Sequence, residues 1–442
     1  MAMQLPSMVN RDNIRKTVQT VFGGYNHTNA CAEGELYDMT NMSSDEYPLL
    51  SPRRPRVLVQ TLEKPNGLFA KDGLLLVDGT DLYYQGVLRG YVADSRKTFA
   101  AMGGRIIILP DKMMLNTTYE RMGVYADLAA LQAGITSPAK YDAYGVGGGV
   151  PYRIYVWDGS AWVDNGLELD NLEKTWAGGS LTFRDGEIYG EDAEANTIYA
   201  EDVNWADYFR VGDAVAISGC TVHPDNNKTP IIREIDGANL RFSELSFTLG
   251  SGTTYTESGA LKVARTIPDL DYICECKNRL WGCKDNTVYA SKLGDPFNWN
   301  AFEGLATDSF FVDVGSAGKF TGCIGYQGYP LFFKENMLHE VYGSKPSNFQ
   351  VQDTGDLGVA EGSSRSLAIA GEVLYYLSRA GMMAYSGGLP AQIGQGFGPA
   401  RFHGAVAGSD GLKYYVSMAD ITSRHLFAFD TAKGIWHRED GL

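Results

Sequence analysis

The stretch Gly73–Gly86, GLLLVDGTDLYYQG, decides the fold. Two short apolar runs flank Asp78-Gly79-Thr80-Asp81, and an Asp-Gly pair supplies the positive φ that a tight hairpin turn requires. The outline returns at Thr98–Asn116, TFAAMGGRIIILPDKMMLN, with Gly103-Gly104 as the turn. It recurs at Tyr272–Leu293, Gly322–Gly343 and Ser366–Gly388, and a last copy covers Ala405–Asp440. Each copy passes through a turn into a strongly apolar second strand (LLLV, IIIL, RLWGC, PLFFK, VLYYLS, KYYVS). A polar turn and a third strand of aromatic or small apolar residues follow. Strands that are apolar without alternation must be buried on both faces. Copies spaced by roughly 40–50 residues fall in the range of propeller blades, small radial sheets that bury both faces against their neighbours. A β-sandwich, the competing architecture, calls for strict alternation and gives no such echo.

The expectation is therefore an all-β chain: a β-propeller of about six blades, with five to seven allowed. The echo stops between Tyr119 and Arg265. A short helix is predicted at Tyr125–Gly134, then a hairpin turning at Asp158-Gly159. Tyr208–Glu244 reads as a small barrel or sandwich of short strands, with turns at Val211-Gly212-Asp213 and Asp236-Gly237. The predicted organisation is an arm at 1–60, first blades at 61–118, one inserted small β domain at 119–265 and the remaining blades at 266–442. The arm lacks hairpin patterning. Its anchors, Val21-Phe22, Leu36-Tyr37 and Leu49-Leu50, precede Arg53, Arg54 and Arg56, which suit an acidic surface. Such an arm is expected to bridge to the chain's own rim or to an adjacent copy, over a body that folds without it.

Composition supports this and narrows function. The 442 residues are 44 % hydrophobic and 21 % charged, with 52 Gly and 26 Tyr, values of a globular, turn-rich chain rather than a disordered one. The net charge of −15 is opposite in sign to a surface that clamps phosphate backbones. No run of 18 apolar residues and no secretory leader is visible, and the six cysteines read as free thiols of a reducing cytoplasm.

Motifs for chemistry are sparse. Cys274, Cys276 and Cys283 are the nearest approach to a metal site, but their spacing suits strand packing better than tetrahedral coordination, so no metal is expected. The six histidines are scattered, and no HExxH, GxSxG, P-loop or Rossmann pattern occurs. The glycine run Gly145–Gly149 lacks the lysine and helix start that would cradle phosphate. Asp142, Asp158, Asp164 and Glu168 are the carboxylates a propeller glycosidase would draw on, yet sequence spacing cannot set two of them across a sugar. No catalytic residue or cofactor is expected. Trp157 and Trp162 flank the Asp158-Gly159 turn, where aromatics serve saccharide or protein contacts and where cross-strand pairing places them equally well.

One stretch resembles a known family. Phe22–Arg56, FGGYNHTNACAEGELYDMTNMSSDEYPLLSPRRPR, is similar to the opening of bacteriophage virion β-propeller proteins, the group of podophage tail nozzles and packaged-DNA stabilisation proteins. Later pieces continue the likeness: Arg279-Leu280-Trp281-Gly282, Gly294-Asp295-Pro296 with Asn298-Trp299, Phe332-Phe333-Lys334, Val341-Tyr342-Gly343, Leu377–Gly381 and Asp430…Trp436. In these pieces Pro296 is expected to stop a ladder, with Asn298-Trp299 capping the blade edge. The resemblance implies a non-enzymatic tail or head–tail component, a nozzle- or hub-like ring subunit located in the virion. Its partners would be other virion proteins and further copies of itself, six-fold by the resemblance. DNA would pass nearby without specific binding, along a surface whose acidity repels it. Two alternatives stand beside it: a tail-tip module contacting a host receptor or saccharide, and a glycosidase of host polysaccharide. The candidate partner contacts are Phe22, Tyr37, Arg53, Arg54, Arg56, Trp157 and Trp162.

Overall fold

A computed structural model describes residues 18–186, 194–242, 246–354 and 357–440. The first 17 residues of the expected arm lie outside the described residues. Strands hold 46 % of the chain and helices 5 %, so the fold is all-β. Among the described residues no helix is long and apolar enough to cross a membrane. The chain divides into two compact units, one of residues 58–360 and one joining the chain up to residue 57 with 361–442.

Residues 58–360 contain four four-stranded antiparallel sheets that follow one another along the chain. The first is Pro65–Ala70, Leu74–Asp78, Asp81–Tyr84 and Val87–Tyr91. The second is Thr98–Met102, Arg105–Leu109 and Met113–Asn116, completed at its edge by Leu169–Asn171. The third is Tyr272–Cys276, Arg279–Lys284, Thr287–Ala290 and Phe310–Asp313. The fourth is Phe320–Tyr326, Tyr329–Lys334, Met337–Tyr342 and Gln350–Thr354. Strand alternation explains how each inner strand serves two cores. Ile106 and Ile108 join Leu75, Val77 and Leu82 of the first sheet. Ile107 and Leu109 point the other way, to Ile273 and Leu280 of the third. The third sheet in turn packs Trp281 and Cys283 against Phe320 and Phe332 of the fourth.

The other unit carries two more four-stranded sheets. The fifth in chain order is Ala368–Ala370, Val373–Ser378, Gly381–Tyr385 and Ala391–Gln392; the sixth is His403–Ser409, Lys413–Ala419, Arg424–Asp430 and Ile435–Glu439. The apolar segments 74–77, 106–109, 331–333 and 373–377 are thus inner strands of four separate small sheets, as their double-sided apolarity requires.

Four expectations need correction. The segment 119–265 is not one inserted domain. Leu169–Asn171 pairs with Met113–Asn116, and Leu169 enters the core between the first two sheets, which splits the segment. Before it lies a sheet of Val124–Tyr125, Ala143–Val146, Arg153–Trp157 and Trp162–Leu167, with the helix Leu128–Gly134 capped by Asp127. After it lies a six-stranded sheet that includes Lys174–Gly186 and Thr254–Arg265 and has its own core around Phe183, Trp205 and Phe242. Asn298 does not cap a blade edge. Its amide donates to the carbonyl of Gly212 at 3.0 Å and accepts from the N–H of Ala214 at 2.8 Å, clamping that inserted sheet.

The arm, third, is not featureless. Gly24–Tyr25 pairs in parallel with Glu35–Leu36, and Met42–Ser43 pairs antiparallel with Ser51–Pro52. Last, its unit is not built without it. Phe22, Tyr25 and Met39 are buried in one core with Tyr375, Tyr414, Phe427 and Trp436 of the fifth and sixth sheets. These anchors are too far apart in sequence to show a period, but each fills a place that the sheets leave open.

Candidate functional site

The arm and the outer face of the sixth sheet enclose a cleft of about 750 Å³. Alternation builds its floor. Tyr414, Val416, Phe427, Phe429 and Trp436 turn into the core, so their neighbours turn outward. Register then sets three rows across the sheet: Lys413–Asp430–Ile435, Tyr415–Ala428–His437 and Ser417–Leu426–Glu439. The arm supplies the wall with Ser43, Asp45, Arg53, Arg54 and Arg56.

Charge pairs fasten arm to sheet. Lys413 Nζ donates to Asp45 at 2.6 Å, and the hydroxyl of Ser44 donates to Asp430. Lys433 Nζ donates to the same Asp430 at 2.8 Å. Arg56 donates to Glu439, whose carboxylate is buried. Arg53 is fully engaged, with Asn41 at 2.8 Å, Asp440 at 2.8 Å and the carbonyl of Arg54 at 3.1 Å. Arg54 is exposed at the mouth. The Lys413 ammonium holds the Asp45 carboxyl below its ordinary range. Burial pushes the Tyr415 phenol up to about 12, helped by the Asp410 carboxylate that its hydroxyl contacts at 3.1 Å.

His437 lies under this floor, 1 % exposed. Neither ring nitrogen has a hydrogen-bond partner among the described residues, and Glu439 stands 3.6 Å from Nε2. Burial pulls its pKa down to about 4, and the ammonium groups of Lys413 and Lys433 act in the same direction. The imidazole is neutral at pH 7.

The structure brings Arg53, Arg54 and Arg56 together at one site. Phe22 is core rather than contact surface. Tyr37 is 52 % exposed and stacks on His27 with ring centroids 4.2 Å apart. Around Val21, Leu36, Pro48, Leu49 and Leu50 the arm forms a second, apolar recess of about 270 Å³. Trp157 and Trp162 belong to residues 58–360 and face one another across their hairpin, rings 5.4 Å apart and edge to face. Tyr144 extends that ladder beside Trp162.

The carboxylates singled out for catalysis hold the fold. Asp158 accepts from the N–H groups of Ser160 and Ala161, and Asp142 from that of Ala139. Asp164 pairs with Arg153 at 2.6 Å. Glu168, 1 % exposed, lies between Arg89 at 2.6 Å and Arg121 at 2.7 Å. All six cysteines are free. Cys274 and Cys283 both approach Cys323 of the next sheet, which their spacing did not indicate. The Cys274 thiol is held well above its usual range by its contact with Cys323 and by burial. Among the described residues no group of three or more His, Cys, Asp or Glu is placed to hold a metal ion.

A second polar constellation lies in the fourth sheet. Ser316 Oγ is 2.8 Å from His339 Nε2, and Asp353 Oδ1 is 2.6 Å from His339 Nδ1. Burial lowers the His339 pKa, so Nδ1–H donates to Asp353 and the Ser316 hydroxyl donates to Nε2. Hydroxyl, imidazole and carboxylate stand in the order of a hydrolase relay. His339 is wholly buried, however, and the bonds tie the loop at Ser316 to two strands.

The residues that sequence reasoning missed are His437, Tyr415, Lys413, Lys433 and Glu439. No local signal marked them: Lys413 and Tyr415 sit in a run read as strongly apolar, and His437 and Glu439 flank Arg438 in a polar run.

No protein-family model and no curated protein matches the chain. Several solved structures are similar in part, two of them as follows. The extracellular domain of the putative one-component system BT4673 from B. thetaiotaomicron is 8 % identical over 85 % of this chain and 60 % of that one, with a TM-score of 0.26. PorZ, a bacterial surface component of the type-IX secretion system of Porphyromonas gingivalis, is 10 % identical over 86 % of this chain and 47 % of that one, with a TM-score of 0.18. The chain spans under two thirds of the first and about half of the second. Likeness at that level leaves fold and function to be argued from the chain itself.

Proposed function

We propose that the chain is a six-bladed β-propeller acting as a bacteriophage virion structural protein, a ring subunit of the tail or head–tail region around the DNA path. The observation that carries this reading is the divided arm. Phe22, Tyr25 and Met39 go into the core, while Val21, Leu49 and Leu50 stay exposed around the apolar recess, Leu49 at 63 %. A contiguous exposed apolar patch is the mark of a protein contact. A ring repeats that contact in every subunit. The six antiparallel four-stranded sheets in chain order support the propeller, and the structural use of Asp142, Asp158, Asp164 and Glu168 supports a scaffold rather than a glycosidase.

The test is the mass of the full chain in solution by sedimentation, with class averages of the particles by electron microscopy. A closed cyclic oligomer is expected, reduced to monomer by Leu49→Asp with Leu50→Asp. A monomer at tens of micromolar that is also missing from purified phage particles of its source ends this reading. The scaffold part has its own check: a fluorophosphonate probe should leave Ser316 unlabelled, and labelling abolished by His339→Ala would make the relay catalytic.

A further inference from the structure

We propose that the cleft on the sixth sheet is a binding site for a small phosphorylated ligand of about nucleotide size. Its phosphate would be taken by Arg54, Arg56 and Lys433, and a remaining polar group by Tyr415, with His437 directly beneath the floor. The inference stands apart from the virion reading and does not depend on it.

Room comes first. At about 750 Å³ the cleft has the volume of a small-molecule site.

Unspent hydrogen-bonding capacity comes second. Among the described residues Arg54 makes no side-chain hydrogen bond or ion pair. Arg56 spends one amino group on Glu439, and Lys433 spends one N–H on Asp430. A phosphate, with three acceptor oxygens, matches two guanidinium forks and an ammonium better than one carboxylate does. Beneath them the neutral His437 has a donor and an acceptor with no partner, on the face that bears Tyr415 and Glu439. Buried polar atoms left in this state are the exception in folded proteins.

Charge comes third. Five cations and four carboxylates line the cleft, a positive balance on a chain of −15. Each of Asp45, Asp430 and Glu439 is already paired. An acidic molecule with one cationic cleft admits a compact anion and repels a long polyanion, so nucleic acid is the disfavoured occupant.

Calorimetric titration of the full chain at pH 7 tests this with three probes: adenosine 5′-monophosphate, inorganic pyrophosphate and a ten-residue thymidine oligonucleotide. Adenosine monophosphate or pyrophosphate should bind one to one. Arg54→Ala, which removes no contact within the fold and should melt like the parent, should weaken that binding roughly tenfold or more. The imidazole resonances of His437 should move on ligand addition. Absence of binding by both small probes at millimolar concentration overturns the proposal, as does undiminished binding by Arg54→Ala or an unmoved His437. Binding of the oligonucleotide alone overturns it in favour of an extended nucleic-acid groove.

Discussion

Removing the arm tests how the fold is built. The expectation from sequence, that deleting residues 1–56 leaves a folded body, fails on the burial of Phe22, Tyr25 and Met39. Tyr25 alone touches the rings of Phe397 and Phe427 and lies under the guanidinium of Arg438. Burying three such side chains is worth about 1.5–3 kcal/mol each, or roughly 4.5–9 kcal/mol together. The ion pairs of Arg53, Lys413 and Arg438 are half-exposed and add little. A domain has only about 5–15 kcal/mol to lose. The truncated chain should therefore lose the calorimetric transition of the unit containing the fifth and sixth sheets, bind a hydrophobic dye, and lose the near-ultraviolet dichroism of Trp436. Residues 58–360 keep their own cores and should keep their transition. Phe22→Ala is the milder form, costing about 3–5 kcal/mol. A truncated protein with both transitions intact and no dye binding would refute the reasoning, because the arm would then be a strap rather than part of a core.

Glu168→Ala strands Arg89 and Arg121 without their carboxylate and should cost about 3–5 kcal/mol, read as a fall in melting temperature; an unchanged melt would mean that the buried pairs are not formed. His437 has a folded pKa of about 4, below its unfolded value, so the unfolded state binds more protons between about 6.5 and 4 and stability should fall as pH drops through that window. Lys413, Lys433, Asp45, Asp430 and Glu439 face it, and a nuclear resonance titration with a midpoint near 6.5 would contradict the burial. Of the six thiols only the exposed Cys31 should react quickly with a disulfide reagent, because burial keeps Cys220 at about 11 and Cys276 at about 12; fast reaction of Cys274 or Cys283 would show that the third and fourth sheets part readily.

Much of the fold was legible without coordinates. Strands such as Ile106–Leu109 carry apolar residues on both faces, and only a small sheet sandwiched between two others can bury both. Turn chemistry marked the hairpins at Gly79 and Gly103, whose φ of 59° and 56° costs glycine nothing. Three-residue strands fell below that resolution. Leu169–Asn171 has too few positions to show a period, so the division of the insertion depended on which edge was vacant. The arginines of the arm were visible as a group, but their partners Glu439 and Asp440 lie nearly 400 residues away along the chain, and nothing local joins them. His437 is the plainest case. In the sequence it is one of six scattered histidines; only the register of Ala428 beside it and the packing around it decided that its ring would be buried and left without a hydrogen-bond partner. Period and turn chemistry are properties of neighbours in the chain, whereas a site is made where distant segments meet, and that meeting is fixed by packing.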